Sequence, residues 1–185
     1  MICGRSRRHH PMTDISEDHA MTTPDVRKDP EARTLSLSTD LAVPVERAWQ
    51  LWADPRQLEG WWGPPTYPAT VVEHDLTPGG RVTYFMTGPE GDEHHGWWQV
   101  LAVDAPRRLE LQDGFADDDG APVEDLPVST MTVTLTGLED GRTRMVLEST
   151  FATAEAMQQL ESMGAVEGML GAMSQIDGVL ARERS

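Results

Sequence analysis

Few side chains in this sequence are suited to chemistry. An imidazole is the group that changes charge between about pH 5 and 8, and beyond residue 33 the chain holds only His74, His94 and His95. On a strand beginning at His95, alternation puts His95, Trp97, Gln99 and Leu101 on one face and His94, Trp98 and Val100 on the other. His74 shares its face with Val72 and Leu76, which makes it the histidine expected to look inward. His74 or His95 would then hydrogen-bond a ligand or act as general acid or base. The plainer alternative is an imidazole satisfied by the structure or by solvent. Tyr84 and Glu167 are further candidates to move a proton, Glu167 because Gly168 beside it lets a helix pass close to a cavity.

Other chemistries lack their residues. No thiolate lies beyond Cys3 and no histidines sit at helical i, i+4 spacing, so no metal site is expected. The run Asp117-Asp118-Asp119-Gly120 fails the EF-hand template. With Gly120 at loop position 6, positions 1 and 12 are Phe115 and Leu126, where Asp and Glu are needed. There is no Gly-x-Ser-x-Gly elbow, P-loop or dinucleotide fingerprint, and no cofactor is expected.

Tryptophan is the more telling residue type. Six occur in close pairs, Trp49/Trp52, Trp61/Trp62 and Trp97/Trp98. The first pair shares a helical stripe and reads as core. Trp61 and Trp62 precede a Pro-rich loop, where one could wall a flat apolar ligand; ordinary packing is the alternative.

These residues need elements to hold them. Leu35, Leu37 and Leu41 at even spacing read as a half-buried strand. Pro44 opens a short helix with Val45, Trp49 and Trp52 on one side, and Asp54-Pro55 starts a second. A meander follows over residues 69–76, 82–86, 95–103, 108–115, 129–138 and 144–151, with turns at Gly- and Pro-containing runs. Thr153 caps a long C-terminal helix in which Val166, Met169, Leu170, Met173, Ile176 and Leu180 recur at three- and four-residue steps. Its four glycines each cost about 1 kcal/mol, and a bend is expected at Gly164 or Gly168. The expected fold is α+β: a curved seven-stranded antiparallel sheet, order βααββββββα, gripping one long helix around a cavity.

Of the 185 residues, 31 are acidic and 15 basic, a net charge of −16. Residues 1–33 balance six of each, so the remainder carries the whole excess. Such a surface repels phosphate backbones and anionic lipid, which excludes nucleic acid and membrane as partners. Residues 1–33 show no period and are expected to be a disordered tail, with Met12 and Met21 as alternative starts. The near-absence of cysteine suits a reducing cytoplasm. A domain over 34–185 buries enough surface to fold unaided, as monomer or homodimer.

Several motifs in order carry a resemblance. They are Val43-Pro44-Val45-Glu46-Arg47-Ala48-Trp49, Trp61-Trp62-Gly63-Pro64, Asp75-Leu76-Thr77-Pro78-Gly79-Gly80-Arg81 and Val103-Asp104-Ala105-Pro106-Arg107-Arg108-Leu109. With Glu167-Gly168-Met169-Leu170 in the last helix, the chain over residues 34–184 resembles the SRPBCC (START / birch-pollen-allergen-like) superfamily. Within it, the similarity is to the subgroup named after the activator of the heat-shock-protein-90 ATPase, which includes the calicheamicin-resistance-type proteins. The family more often has an aromatic residue at the place of Met169. The resemblance implies a cavity for a small hydrophobic molecule, a lipid, polyketide or aromatic, with a role in stress response or detoxification. Trp61, Trp62, His74, Tyr84, His95, Trp97, Glu167, Met169 and Met173 are the candidate ligand contacts. A polyketide cyclase or aromatase is the second reading, since positioning alone can supply several kcal/mol of a barrier. A chaperone-ATPase co-regulator is the third.

Overall fold

The computed structural model describes residues 23–182. Expectations for residues 1–22, among them Cys3 and the alternative starts Met12 and Met21, lie outside the described residues. In chain order the elements are β1 (Asp25–Asp29), β2 (Thr34–Leu41), α1 (Val45–Ala53), α2 (Pro55–Glu59), β3 (Ala69–His74), β4 (Arg81–Thr87), β5 (Glu93–Asp104), β6 (Arg108–Ala116), β7 (Ser129–Gly137), β8 (Thr143–Phe151), α3 (Ala154–Ser162), α4 (Ala165–Met173) and α5 (Ile176–Arg182). The strands form one antiparallel sheet in the order β1-β2-β8-β7-β6-β5-β4-β3. This is the α+β helix-grip arrangement, with the short helices set between β2 and β3 and the C-terminal helices following β8.

Side-chain alternation sets the faces. Leu35, Leu37 and Leu41 of β2 are buried, as are Met131, Val133 and Leu135 of β7 and Met145, Leu147 and Phe151 of β8. Residues between them are more exposed. This inner face meets α1 through Val45, Ala48, Trp49, Leu51 and Trp52, all buried. Asp54 caps α2 by accepting the Arg56 N–H at 2.9 Å, and Pro55 follows at a position needing no donor. Thr153 accepts the Ala156 N–H at 3.1 Å to open α3, a cap worth about 1 kcal/mol.

Two expectations change. The sheet has eight strands, not seven: residues 25–29, assigned to the tail, pair with β2 from Asp25↔Ser38 to Asp29↔Thr34. Only Val26 of β1 is partly buried, so the strand has no apolar alternation to announce it. Its charges protect an edge that could otherwise template aggregation, and Lys28 meets Glu161 of α3 at 2.9 Å. The expected single long helix runs as three segments. Gly164, at φ 80°, breaks it between α3 and α4, where a bend was expected. A second break falls at Ser174-Gln175, where the Gln175 side chain donates to the Gly63 carbonyl at 2.7 Å. The observed order is therefore ββααββββββααα.

Candidate functional site

A cavity of about 220 Å³ lies between the inner face of the sheet and the C-terminal helices. Its walls are apolar: Leu35 and Leu37 from β2, Met131 from β7, Phe151 from β8, and Leu160 and Met169 from the helices. Met86, His94, Phe115 and Met169, lining residues that keep appreciable exposure, mark its open side.

Tyr84, Asp113 and Ser129 gather at one place, and His94, His95 and Ser149 also border the cavity. Strand register puts Tyr84 opposite Gly96, Trp98 opposite Asp113, and Asp113 opposite Ser129, all on the inner face. Gly96 is what allows Tyr84 to lean across β5. A Cβ at residue 96 would stand 2.4 Å from the Tyr84 hydroxyl, so the ring crosses the strand where only a hydrogen is in the way. The phenol thereby reaches toward Asp113 on β6. Trp62 and Trp98 complete the floor, their rings 4.9 Å apart and perpendicular, with Tyr84 at 6.0 Å from Trp62 and 5.8 Å from Trp98. Trp52 and Trp61 support them from behind, each within 6 Å of Trp62.

The electrostatics of this floor are unusual. Loss of water pushes the Asp113 carboxyl from 3.8 up to about 7, with the nearby Trp98 N–H and Tyr84 O–H only partly offsetting that cost. Some Asp113 surface faces the cavity, but among the described residues no cation offsets its charge. Burial drives the Tyr84 phenol well above its usual value, and the Asp113 charge adds to the rise. The buried indole N–H groups of Trp62 and Trp98 make no hydrogen bond of acceptable geometry. They lie near enough to the Tyr84 oxygen to favour its charged form. An unpaired buried donor costs about 1–3 kcal/mol, so the floor is under-satisfied.

The candidates read from sequence disperse. Trp62, Tyr84, His95 and Met169 border the cavity. The His95 imidazole, however, lies 5.5 Å from the Phe85 ring and turns toward Glu93 and Asp118 at 3.4 and 3.9 Å, away from the polar floor. Trp61 is fully buried and donates to the Leu51 carbonyl at 3.1 Å. His74 does look inward, for a different reason than shared parity with Val72. A bulge between Val71 and Glu73, where Glu59 accepts the Val71 N–H at 2.7 Å, shifts the register and leaves Val72 68% exposed. The His74 ring then meets the Trp52 carbonyl at 2.9 Å, outside the cavity lining. Trp97 lies across Gly114 on the opposite sheet face and donates to the Phe115 carbonyl at 2.9 Å. Glu167 is exposed. Met173 lines a second space of about 230 Å³ beside Asp40 and Asp177.

Asp113 escaped the sequence reading, although a signal was available. Leu109 and Leu111 define the buried face of β6, and continuing by two reaches Asp113. Gly96, lone inside a strand, was the second signal. Among the described residues no group of three His, Cys, Asp or Glu side chains could hold a metal ion, and no helix is long and apolar enough to cross a membrane.

The comparisons bear on the fold. A protein from Mycobacterium smegmatis, Ms6760, known as a crystal structure, is 53% identical. It covers 86% of this chain and 96% of its own, with a TM-score of 0.79. An NMR structure of a protein from Arthrobacter aurescens is 51% identical over 85% of this chain and 91% of its own, with a TM-score of 0.82. One from Staphylococcus epidermidis is 25% identical over 85% and 94%, with a TM-score of 0.73. No curated protein matches. The family model described as "Activator of Hsp90 ATPase homolog 1-like protein" matches residues 42–181, and this chain belongs to that family.

Proposed function

We propose that the protein binds a small hydrophobic molecule in this cavity, acting in the cytoplasm as a carrier or sink without a dedicated catalytic apparatus. The carrying observation is one largely apolar space with aliphatic, thioether and aromatic walls and with Tyr84, Asp113 and Ser129 grouped at one end. That is the composition expected of a small-molecule site, in which few polar groups fix orientation. By proportion to a cavity of about 150 Å³ that takes benzene, the volume suits about nine heavy atoms. Native mass spectrometry of protein purified from its own host should show a co-purifying small molecule. A clean unliganded spectrum, with no thermal shift against a panel of small apolar compounds, would remove this reading.

One observation favours an enzyme as the second reading. A carboxyl that titrates near neutrality beside a phenol is suited to proton transfer, as a cyclase or aromatase would require. The test is deuterium uptake at carbons next to a ketone, with and without protein. Equal rates leave the binding reading alone. A chaperone-ATPase co-regulator ranks third. The large exposed apolar side chains among the described residues are Val72 on β3, Leu101 on β5, Val128 just before β7 and Met163 just after α3.

A further inference from the structure

We propose that Tyr84 and Asp113 form a paired hydrogen-bond donor for the carbonyl oxygen of the bound molecule, so that the ligand class is a small neutral ketone or related carbonyl compound on an apolar ring system. The inference rests on the binding reading above and adds a head group, an orientation and a proton linkage to it.

The argument starts from the count of donors and acceptors. Around the floor stand the Tyr84 O–H and the N–H groups of Trp62 and Trp98, the indoles without a hydrogen bond and 3% and 0% exposed. The nearby acceptors are the Tyr84 oxygen and the Asp113 carboxyl. If the indoles crowd the Tyr84 oxygen, its proton is free to point away from them, toward Asp113 or toward whatever fills the cavity. Asp113 in turn can point a proton into the same space when it is un-ionised. An apolar site that keeps a carboxylic acid neutral turns it into a donor, and a phenol beside it makes the second of two donors aimed at one oxygen. A ligand oxygen there would accept from both. A ligand without an acceptor leaves these donors facing hydrocarbon.

The surroundings make Asp113 the group that decides. Across β5 it faces Trp98 and Gly96, across β4 Tyr84, and on β7 Ser129. From the helices, Gly168, Met169 and Ala172 border the same space, and from the loop after α2 Trp62 does. None of these is charged. The other titratable residues bordering the cavity are His94, which meets Asp92 at 2.7 Å on the open side, and His95, turned toward Glu93 and Asp118. When Asp113 ionises, the floor loses a donor and places a negative charge against the ligand's lone pairs. Carbonyl affinity should therefore fall as pH rises through the titration of Asp113.

The test uses the full chain and a matched pair, 1-indanone and indane, of about the size the cavity admits. Binding is followed by calorimetry at pH 5.5 and pH 8.5. At the lower pH, indanone is expected to bind at least about tenfold tighter than indane, the worth of one or two well-made hydrogen bonds. At the higher pH its affinity should fall by about tenfold or more, in proportion to the protonated fraction, while indane is unaffected. Tyr84→Phe should shrink the preference at pH 5.5. Asp113→Asn, which keeps a donor but cannot ionise, should hold the preference at both pH values, and Asp113→Leu should shrink it at pH 5.5 and remove its pH dependence. His94→Gln and His95→Gln should leave the pH dependence in place. Equal affinity for the two compounds at pH 5.5 overturns the inference and leaves the apolar-cavity reading standing. A preference unchanged by pH and by Asp113→Leu overturns the role of Asp113. Failure of both compounds to bind overturns the inference, and the binding reading then stands or falls on the co-purification experiment.

Discussion

Replacing Asp113 by Asn should make the protein more stable at neutral and alkaline pH, by an amount that grows with pH. Burial raises the carboxyl from 3.8 to about 7, so in the folded state the proton stays on while the unfolded chain has already released it. Between those values the unfolded state binds fewer protons, and stability falls as pH rises. A shift of roughly three pKa units at 1.36 kcal/mol each gives a penalty of about 4 kcal/mol, fully developed above pH 7 and absent below pH 4. The remaining carboxylates and the net repulsion of a −16 chain affect parent and variant alike, so the difference between them isolates residue 113. The assay is urea unfolding of both proteins at half-unit steps from pH 4 to pH 9. The stability difference should rise by about 1.4 kcal/mol per pH unit between pH 4 and 7 and then level off. For a chain of this size each kcal/mol moves the melting temperature by about 2–4 °C, so the gap should reach roughly 8–16 °C. Parallel pH profiles would refute the claim that Asp113 is held in a desolvated site. A gap that opens only below pH 4 would reverse the sign of the argument.

Three further outcomes follow from the same geometry. Gly96→Ala should cost about 1–3 kcal/mol in chemical denaturation, because the new methyl meets the Tyr84 ring and hydroxyl at 2.4 Å. Part of that loss should return in the double variant with Tyr84→Phe. Ala172→Leu, which adds carbons to the cavity wall at a 2% exposed residue, should weaken any apolar ligand at least about tenfold in calorimetry while leaving stability unchanged or higher by up to about 2 kcal/mol. Arg144→Ala should lower stability only slightly, because the pair is solvent-exposed, despite its paired bonds to Asp40 at 2.8 and 2.9 Å. That loss should be present above the ordinary carboxylate range and fade as acid protonates Asp40, whose pKa the Arg144 hydrogen bonds lower.

What could be read from the sequence divides along physical lines. Elements whose burial is one-sided were legible. Leu35, Leu37 and Leu41, or Met131, Val133 and Leu135, state their face by period two, and Asp54-Pro55 states a helix start by capping chemistry. β1 was not legible because an edge strand paired on one side and covered by little has no reason to alternate, and Asp25, Arg27, Lys28 and Asp29 look like tail. The C-terminal helix was legible as helix and not as three helices. Gly164 advertised its break, whereas the one at Ser174-Gln175 is held by a side-chain bond to the Gly63 carbonyl, a partner 112 positions away. Where the histidines point was not legible for a related reason: their chemistry is local, but the backbone bulge at Val71/Glu73 places His74 and the Phe85 ring lies against His95.

The candidate site is the harder case, because its key residue resembles an error in pattern. Along β6 the inward positions run Leu109, Leu111, Asp113, Phe115, and a carboxyl in that series breaks the rule that makes the strand recognisable. The same break gives it information. A polar side chain on an outer face has solvent to satisfy it and says little about function. One on the inner face must be satisfied by the protein or be left costing stability, and at Asp113 an indole and a phenol only partly offset the cost of burial. Gly96 fits the same logic from the other direction, since a residue with any side chain would fill the strand better and would also push Tyr84 out of reach of Asp113. Two positions on neighbouring strands, each unfavourable for folding by itself, together bring a phenol to a carboxyl at one end of a largely apolar cavity. Structural necessity explains neither residue alone; a ligand oxygen placed between Tyr84 and Asp113 accounts for both.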